Sequence, residues 1–95
     1  MRLETSEVIS DLADMGIDAE VIDDTFNVNY LRVIGNSYML DVLFNTEADD
    51  TLDFDYLDGA YRTHKSVDPW NVYSVDLANV DSHDELVAAL DRFTK

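Results

Sequence analysis

The chain reads as an α+β fold. An antiparallel meander of four or five strands lies between an N-terminal and a C-terminal helix, with both helices packed on one face. Three observations predict this. Apolar residues recur at helical spacing near both ends, through Val8, Ile9, Leu12 and Met15 and again through Leu86, Val87, Leu90 and Phe93. Between these stretches the period changes to two, as in Tyr38, Leu40, Val42 and Phe44. One proline and three glycines punctuate 95 residues, which suits short connections in a single domain spanning 1–95.

The first helix covers about residues 3–15, and Gly16 is placed to cap its C-terminus. Its second stripe is acidic: Glu4, Glu7, Asp11 and Asp14 stand at i, i+3, i+7 and i+10. Like charges at such spacings destabilise an isolated helix by roughly 0.2–0.5 kcal/mol per pair. Asp11 and Asp14 also lie near the C-terminus, where the helix dipole favours cations. The stripe is either a solvated face or an acidic contact surface.

Strands follow. Ile17, Ala19 and Val21 alternate with Asp18 and Glu20, and 23–25 reads as a turn. Residues 26–34 form the next strand, with Phe26, Val28 and Tyr30 inward. Its alternation slips over 31–34, as a bulge or burial on both faces would make it. Gly35-Asn36 marks a hairpin into a strand over 37–45. A short strand is expected at 52–57, and Asp58-Gly59 suggests a turn.

Residues 61–67 resist assignment, and they hold Arg62 and Lys65, a third of all the lysines and arginines, together with His64, expected to be exposed. The last strand, over 71–78, turns Tyr73, Val75 and Leu77 inward. Phe44, Tyr38, Phe54, Tyr56 and Phe93 are also expected on inward faces. Trp70, beside Pro69, covers a core edge or stands as an exposed anchor. Ser82-His83-Asp84-Glu85 is a capping box that opens the C-terminal helix. That helix carries its acids early and Arg92 and Lys95 late, as its dipole prefers.

Charge narrows the function. Twenty-one acids against six bases leave −15. Such a chain repels nucleic acid and anionic membranes and attracts basic surfaces. With 46% hydrophobic residues it still has the apolar content of a folded domain rather than an acidic tail. The densest run is 47–58, where Glu47, Asp49, Asp50, Asp53, Asp55 and Asp58 make up half of the residues and no base intervenes. Asp53 and Asp55 alternate with Leu52, Phe54 and Tyr56, so an apolar face would fix these carboxylates in space. Asp41 is expected beside them on an exposed sheet face.

Enzymatic and metal chemistry finds little support. A calcium loop starting at Asp53 would place Leu57, Asp58 and His64 where an oxygen ligand, a glycine and a glutamate belong. There is no cysteine, and His64 and His83 do not make a zinc site on their own. His83 reads as a structural residue of a helix first turn. No nucleophile elbow or phosphate-binding glycine loop is present. No cofactor is implied and an enzyme is not expected. No apolar run reaches membrane-spanning length and no signal-peptide pattern opens the chain, so residence in the cytoplasm is expected.

Three explanations for the acidity compete: imitation of nucleic acid, adaptation to high salt, and a generic acidic interaction domain. Same-face residues of a strand lie about 6.6–6.8 Å apart, of the same order as phosphates along an extended nucleic acid strand. Aspartate outnumbers glutamate 16 to 5, which holds charge close to the backbone. The size, the acidity, the run from 47 to 58 and the order helix–meander–helix resemble the small phage-encoded anti-CRISPR inhibitors that act as DNA mimics. The resemblance implies stoichiometric inhibition of a basic nucleic-acid-binding protein such as a CRISPR effector, in the host cytoplasm, by a monomer or small homo-oligomer. The partner-binding residues expected are Glu47, Asp49, Asp50, Asp53, Asp55 and Asp58 together with Glu4, Glu7, Asp11 and Asp14.

Overall fold

A computed structural model of the chain describes residues 2–23, 28–45, 51–53, 59–66 and 72–95. In chain order it contains β1 (Arg2–Glu4), α1 (Thr5–Asp14), β2 (Asp18–Asp23), β3 (Val28–Ile34), β4 (Tyr38–Asn45), β5 (Thr51–Asp53), β6 (Gly59–His64), β7 (Val72–Ser74) and α2 (His83–Thr94). Five strands form one antiparallel sheet in the order β2-β3-β4-β6-β7, and β1 pairs with β5 in a separate two-stranded sheet. The expected α+β class, the antiparallel five-stranded sheet and the two terminal helices are therefore all present.

The core lies between the helices and one face of this sheet. Val8 and Leu12 of α1 and Leu86 and Leu90 of α2 are fully buried with Leu31, Val33 and Leu40, and Val42 and Phe44 are nearly so. Period-two alternation along β4 delivers Leu40, Val42 and Phe44 to one face, and the 3.6-residue period of each helix delivers its stripe. Each pair of leucines buried in this way contributes several kcal/mol, at about 1.5–3 kcal/mol per large apolar side chain.

Local signals set several boundaries. Gly16 adopts φ 79°, the left-handed conformation that glycine accepts without a Cβ penalty. The chain reverses there, with Ile17 N–H donating to the Leu12 carbonyl at 2.9 Å. Gly35 is required for a different reason. A Cβ there would lie 2.2 Å from the Thr94 carbonyl oxygen, so the β3–β4 hairpin can approach the end of α2 only with glycine. At the start of α2, Ser82 Oγ accepts from Glu85 N–H at 3.2 Å. Glu85 in turn accepts from Asp81 N–H at 3.2 Å, one residue earlier than a standard capping box has it.

Several expectations need correction. The first helix starts at Thr5, because Leu3 and Glu4 belong to β1, which pairs with β5. The strand expected at 52–57 is Thr51–Asp53 where described, and it stands outside the five-stranded sheet. β3 has no bulge: its register with β4 runs unbroken from Val28↔Asn45 to Ile34↔Met39. Its inner face carries Asn29, Leu31 and Val33, so Tyr30 points to the other side. Pairing decides this, since Leu31 lies opposite Val42 and Val33 opposite Leu40. The last strand is only Val72–Ser74, and Tyr73 is 58% exposed on this edge strand of the sheet. Phe26, Phe54, Tyr56 and Trp70 lie outside the described residues.

Candidate functional site

Exposed acidic residues stand on α1 and on β2, the strand that follows it directly. Glu7 and Asp14 are exposed on α1. The reversal at Gly16 returns the chain directly into β2, which forms an edge of the sheet. On that edge Asp18, Glu20 and Asp23 are exposed, while Ala19 and Val21 pack against the core. No described cation forms an ion pair with Glu7, Asp14, Asp18, Glu20 or Asp23. Two cations are paired with other acids: Lys95 with Asp91 at 3.0 Å, and Arg32 with Asp41.

The other end of α1 meets the second acidic stretch. β1 and β5 pair antiparallel in the register Arg2↔Asp53, Leu3↔Leu52 and Glu4↔Thr51. Glu4, exposed and at the N-cap position of α1, is thereby brought beside the strand that belongs to the run from 47 to 58. Glu47, Asp49, Asp50, Asp55 and Asp58 lie outside the described residues, and Asp53 is placed by its backbone alone.

Asp11 departs from the rest of its stripe. Its carboxylate contacts His83 Nε2, joining α1 to the first turn of α2 across 72 positions of sequence. It is half-buried and turned to an inter-helix contact, which also accords with the structural reading of His83. The two line an open depression of about 300 Å³ with Leu3, Glu7 and Ser10. Among the described residues no group of three or more histidine, cysteine, aspartate or glutamate side chains could hold a metal ion.

Asp41 also differs from expectation. It does lie on the sheet face away from the helices, but it accepts two hydrogen bonds from Arg32, at 2.9 Å from Nε and 3.2 Å from Nη2. This bidentate pair raises the Arg32 guanidinium above its ordinary range, chiefly through the Asp41 hydrogen bond, with burial opposing. Arg32 is therefore charged at every pH at which the fold exists, and Asp41 is not an open carboxylate for a partner.

The basic residues of 61–67 gather at the opposite side of the sheet. The Arg62 guanidinium lies 4.3 Å from the centre of the Tyr38 ring, a cation–π arrangement. His64 meets the same ring edge-on at 4.9 Å. Ser66 donates its N–H to His64 Nδ1 at 3.2 Å, and its hydroxyl lies 2.8 Å from the same nitrogen. His64 is thus half-buried and engaged rather than exposed, and the sheet has an acidic edge at β2 and a cationic, aromatic one at β6 and β7.

Sequence reasoning did not select Asp18, Glu20 and Asp23 as site residues. The alternation of Asp18 and Glu20 with Ala19 and Val21 was visible, but nothing in the order of residues says that β2 is an edge strand.

The fold and this surface define a small two-layer α+β domain with one strongly acidic edge. No family model matches the chain, and no curated protein or solved structure matches it. Among the described residues no helix is long and apolar enough to cross a membrane.

Proposed function

We propose that the chain is a non-enzymatic, nucleic-acid-mimicking inhibitor that binds a basic, nucleic-acid-binding protein surface, in the manner of an anti-CRISPR protein acting on a CRISPR effector. The observation that supports this reading is the pairing of β1 with β5, which sets Glu4, at the start of α1, beside the strand that holds Asp53, while further exposed acids stand on α1 and on the β2 edge. Acidic residues far apart in sequence, Glu4 and Asp53, thus stand on paired strands, as an imitation of a polyanion needs. Asp18 and Glu20, on one face of β2, stand about 6.6–6.8 Å apart. A partner that grips phosphates with many lysines and arginines would meet a similar series of charges. Binding is stoichiometric, needs no cofactor and releases counterions, so it weakens as salt rises.

The test is affinity capture from the source cell on immobilised protein, eluted with a salt gradient. The expected partner is a basic nucleic-acid-binding protein whose DNA or RNA the soluble chain displaces. Two charge-reversal variants sharpen it: Asp14, Asp18, Glu20 and Asp23 to lysine, and Asp49, Asp50, Asp53 and Asp55 to lysine. Each should weaken binding on the order of tenfold or more while the circular dichroism of the fold is retained. Affinity unchanged by both reversals, or insensitive to salt, would refute the reading.

A further inference from the structure

The five-stranded sheet has two edges, and they are not alike. β7 is three residues long, the kind of short edge that resists pairing with another chain. β2 is six residues long, pairs with β3 without a bulge and contains no proline, glycine or lysine. The ladder bonds show which backbone groups it presents. Along an antiparallel strand, successive residues bond to one neighbour and to the other alternately. Gly35 N–H donates to the Tyr38 carbonyl at 3.0 Å, so Val33, Leu31 and Asn29 also bond to β4, and Ile34, Arg32 and Tyr30 bond to β2. Lys65 N–H, which donates to the Ser37 carbonyl at 3.0 Å, sets the same phase from the other side of β4. The register partners of Ile34, Arg32 and Tyr30 are Asp18, Glu20 and Ile22. Ala19, Val21 and Asp23 therefore turn both N–H and C=O away from the sheet, and among the described residues no strand pairs with them.

We infer that this edge accepts an extended segment of the partner as a further antiparallel strand, and that the segment carries lysine or arginine at alternate positions. The inference deepens the proposed function and rests on its reading of a basic partner. The open backbone of Ala19, Val21 and Asp23 supplies hydrogen bonds that do not depend on the segment's sequence. Side chains choose the sequence. Asp18 and Glu20 are exposed, on the sheet face away from the helices. Residues opposite them in the added strand form non-hydrogen-bonded pairs, the closer kind, with Cβ atoms about 4.5–5.5 Å apart. Opposite charges stabilise such a pair and like charges destabilise it. Alternate residues of any extended segment repeat at about 6.6–6.8 Å, as Asp18 and Glu20 do, so two cations meet two carboxylates in register. Residues opposite Ala19 and Val21 lie on the core side, where both are half-buried and pack against the core cluster. Apolar side chains there extend that contact. The recognised pattern is cation, apolar, cation, apolar.

Other occupants fit the edge poorly. A second copy pairing through its own β2 would bring three further exposed acids to the same ladder, between two chains of net charge −15. The acids thus guard an otherwise open edge against its own kind while they admit a basic strand. Nucleic acid is repelled by the same charge and has no peptide groups with which to continue the ladder.

Calorimetric titration of the full chain with a short capped peptide of alternating lysine and valine tests this. Binding should be one to one, and about tenfold or more tighter than that of a peptide alternating glutamate and valine. Two further peptides separate strand addition from plain attraction, because they carry the same charge. Methylating the valine nitrogens, whose N–H groups face β2, should abolish binding. Methylating the lysine nitrogens, which face solvent, should leave it within about twofold. In the protein, Ala19→Pro removes an outward N–H that the sheet does not use, so circular dichroism is retained and peptide binding falls about tenfold or more. Should that variant not fold, the methylated peptides decide on the wild-type chain. Equal binding of the two methylated peptides overturns the inference, as does a wild-type chain that does not bind the lysine peptide. A basic protein captured equally well by wild type and folded Ala19→Pro overturns the strand addition and leaves the proposed function standing. Peptide binding at the edge with no nucleic-acid-binding protein captured supports the edge site and refutes the proposed function.

Discussion

The two helices pack on the same face of the same sheet, yet they are held by different means. α2 follows the local rules: Ser82 caps its start, Asp84 and Glu85 stand in its first turn and Arg92 in its last. α1 has no side-chain cap hydrogen bond and no basic residue in its last turn. Its acids include Asp14 at the end where the dipole opposes negative charge. What keeps α1 helical is tertiary: Val8 and Leu12 fully buried, the His83 contact to Asp11, and the tight reversal at Gly16. The difference teaches that the acidic face of α1 is tolerated because the core supports it. Most helical stability in proteins comes from such packing rather than from local preference.

The contrast breaks most visibly in the core. Leu12→Ala should cost about 2–5 kcal/mol in urea unfolding, the range for a buried leucine truncated to alanine, and should reduce helical signal if any folded population remains. A loss below about 1 kcal/mol would mean that α1 is not held by this contact. In α2 the local contribution can be isolated. Ser82→Ala should cost about 1 kcal/mol, the ordinary value of an N-cap serine, with no change in partner binding. An unchanged midpoint would show that the Ser82 contact to Glu85 N–H adds nothing.

The smallest expected effect is the most informative about function. Asp14→Lys places a cation near the C-terminus of α1 and removes like-charge repulsion from Glu7 and Asp11. It should stabilise the fold by roughly 0.3–1 kcal/mol at low salt, with the gain shrinking as salt is added. If these acids bind a basic partner, the same substitution weakens that binding. A variant that is more stable yet binds less well would show that the charge is kept for recognition. Salt adaptation makes the opposite prediction: wild-type urea midpoints rising steeply in molar KCl, with no partner whose capture depends on Asp14.

Much of the fold was legible. The apolar stripes of both helices, the face of Tyr38, Leu40, Val42 and Phe44, the Gly35 hairpin and the capping sequence at 82–85 follow from periods and turn chemistry that act within a few residues. β3 was harder because it is apolar on both sides, Tyr30 and Ile34 on one and Leu31 and Val33 on the other. Periodicity alone cannot choose an inner face when both are apolar. β7 misled for another reason: Tyr73 fits an inward pattern, but inwardness depends on whether a helix lies over that part of the sheet.

The candidate site was legible in composition and not in geometry. Excess charge and its gathering in α1 and 47–58 are properties of the chain, as are its two helices and its antiparallel strands, because each rests on local spacing and on charge that no partner nearby in sequence balances. Only the tertiary structure decided that three residues at the N-terminus pair with β5, that β2 is a sheet edge with exposed acids, and that Asp11 faces His83 and Asp41 faces Arg32. These depend on which strands become neighbours and on which face the helices cover, and such long-range pairings are fixed by the core as a whole rather than by any one segment.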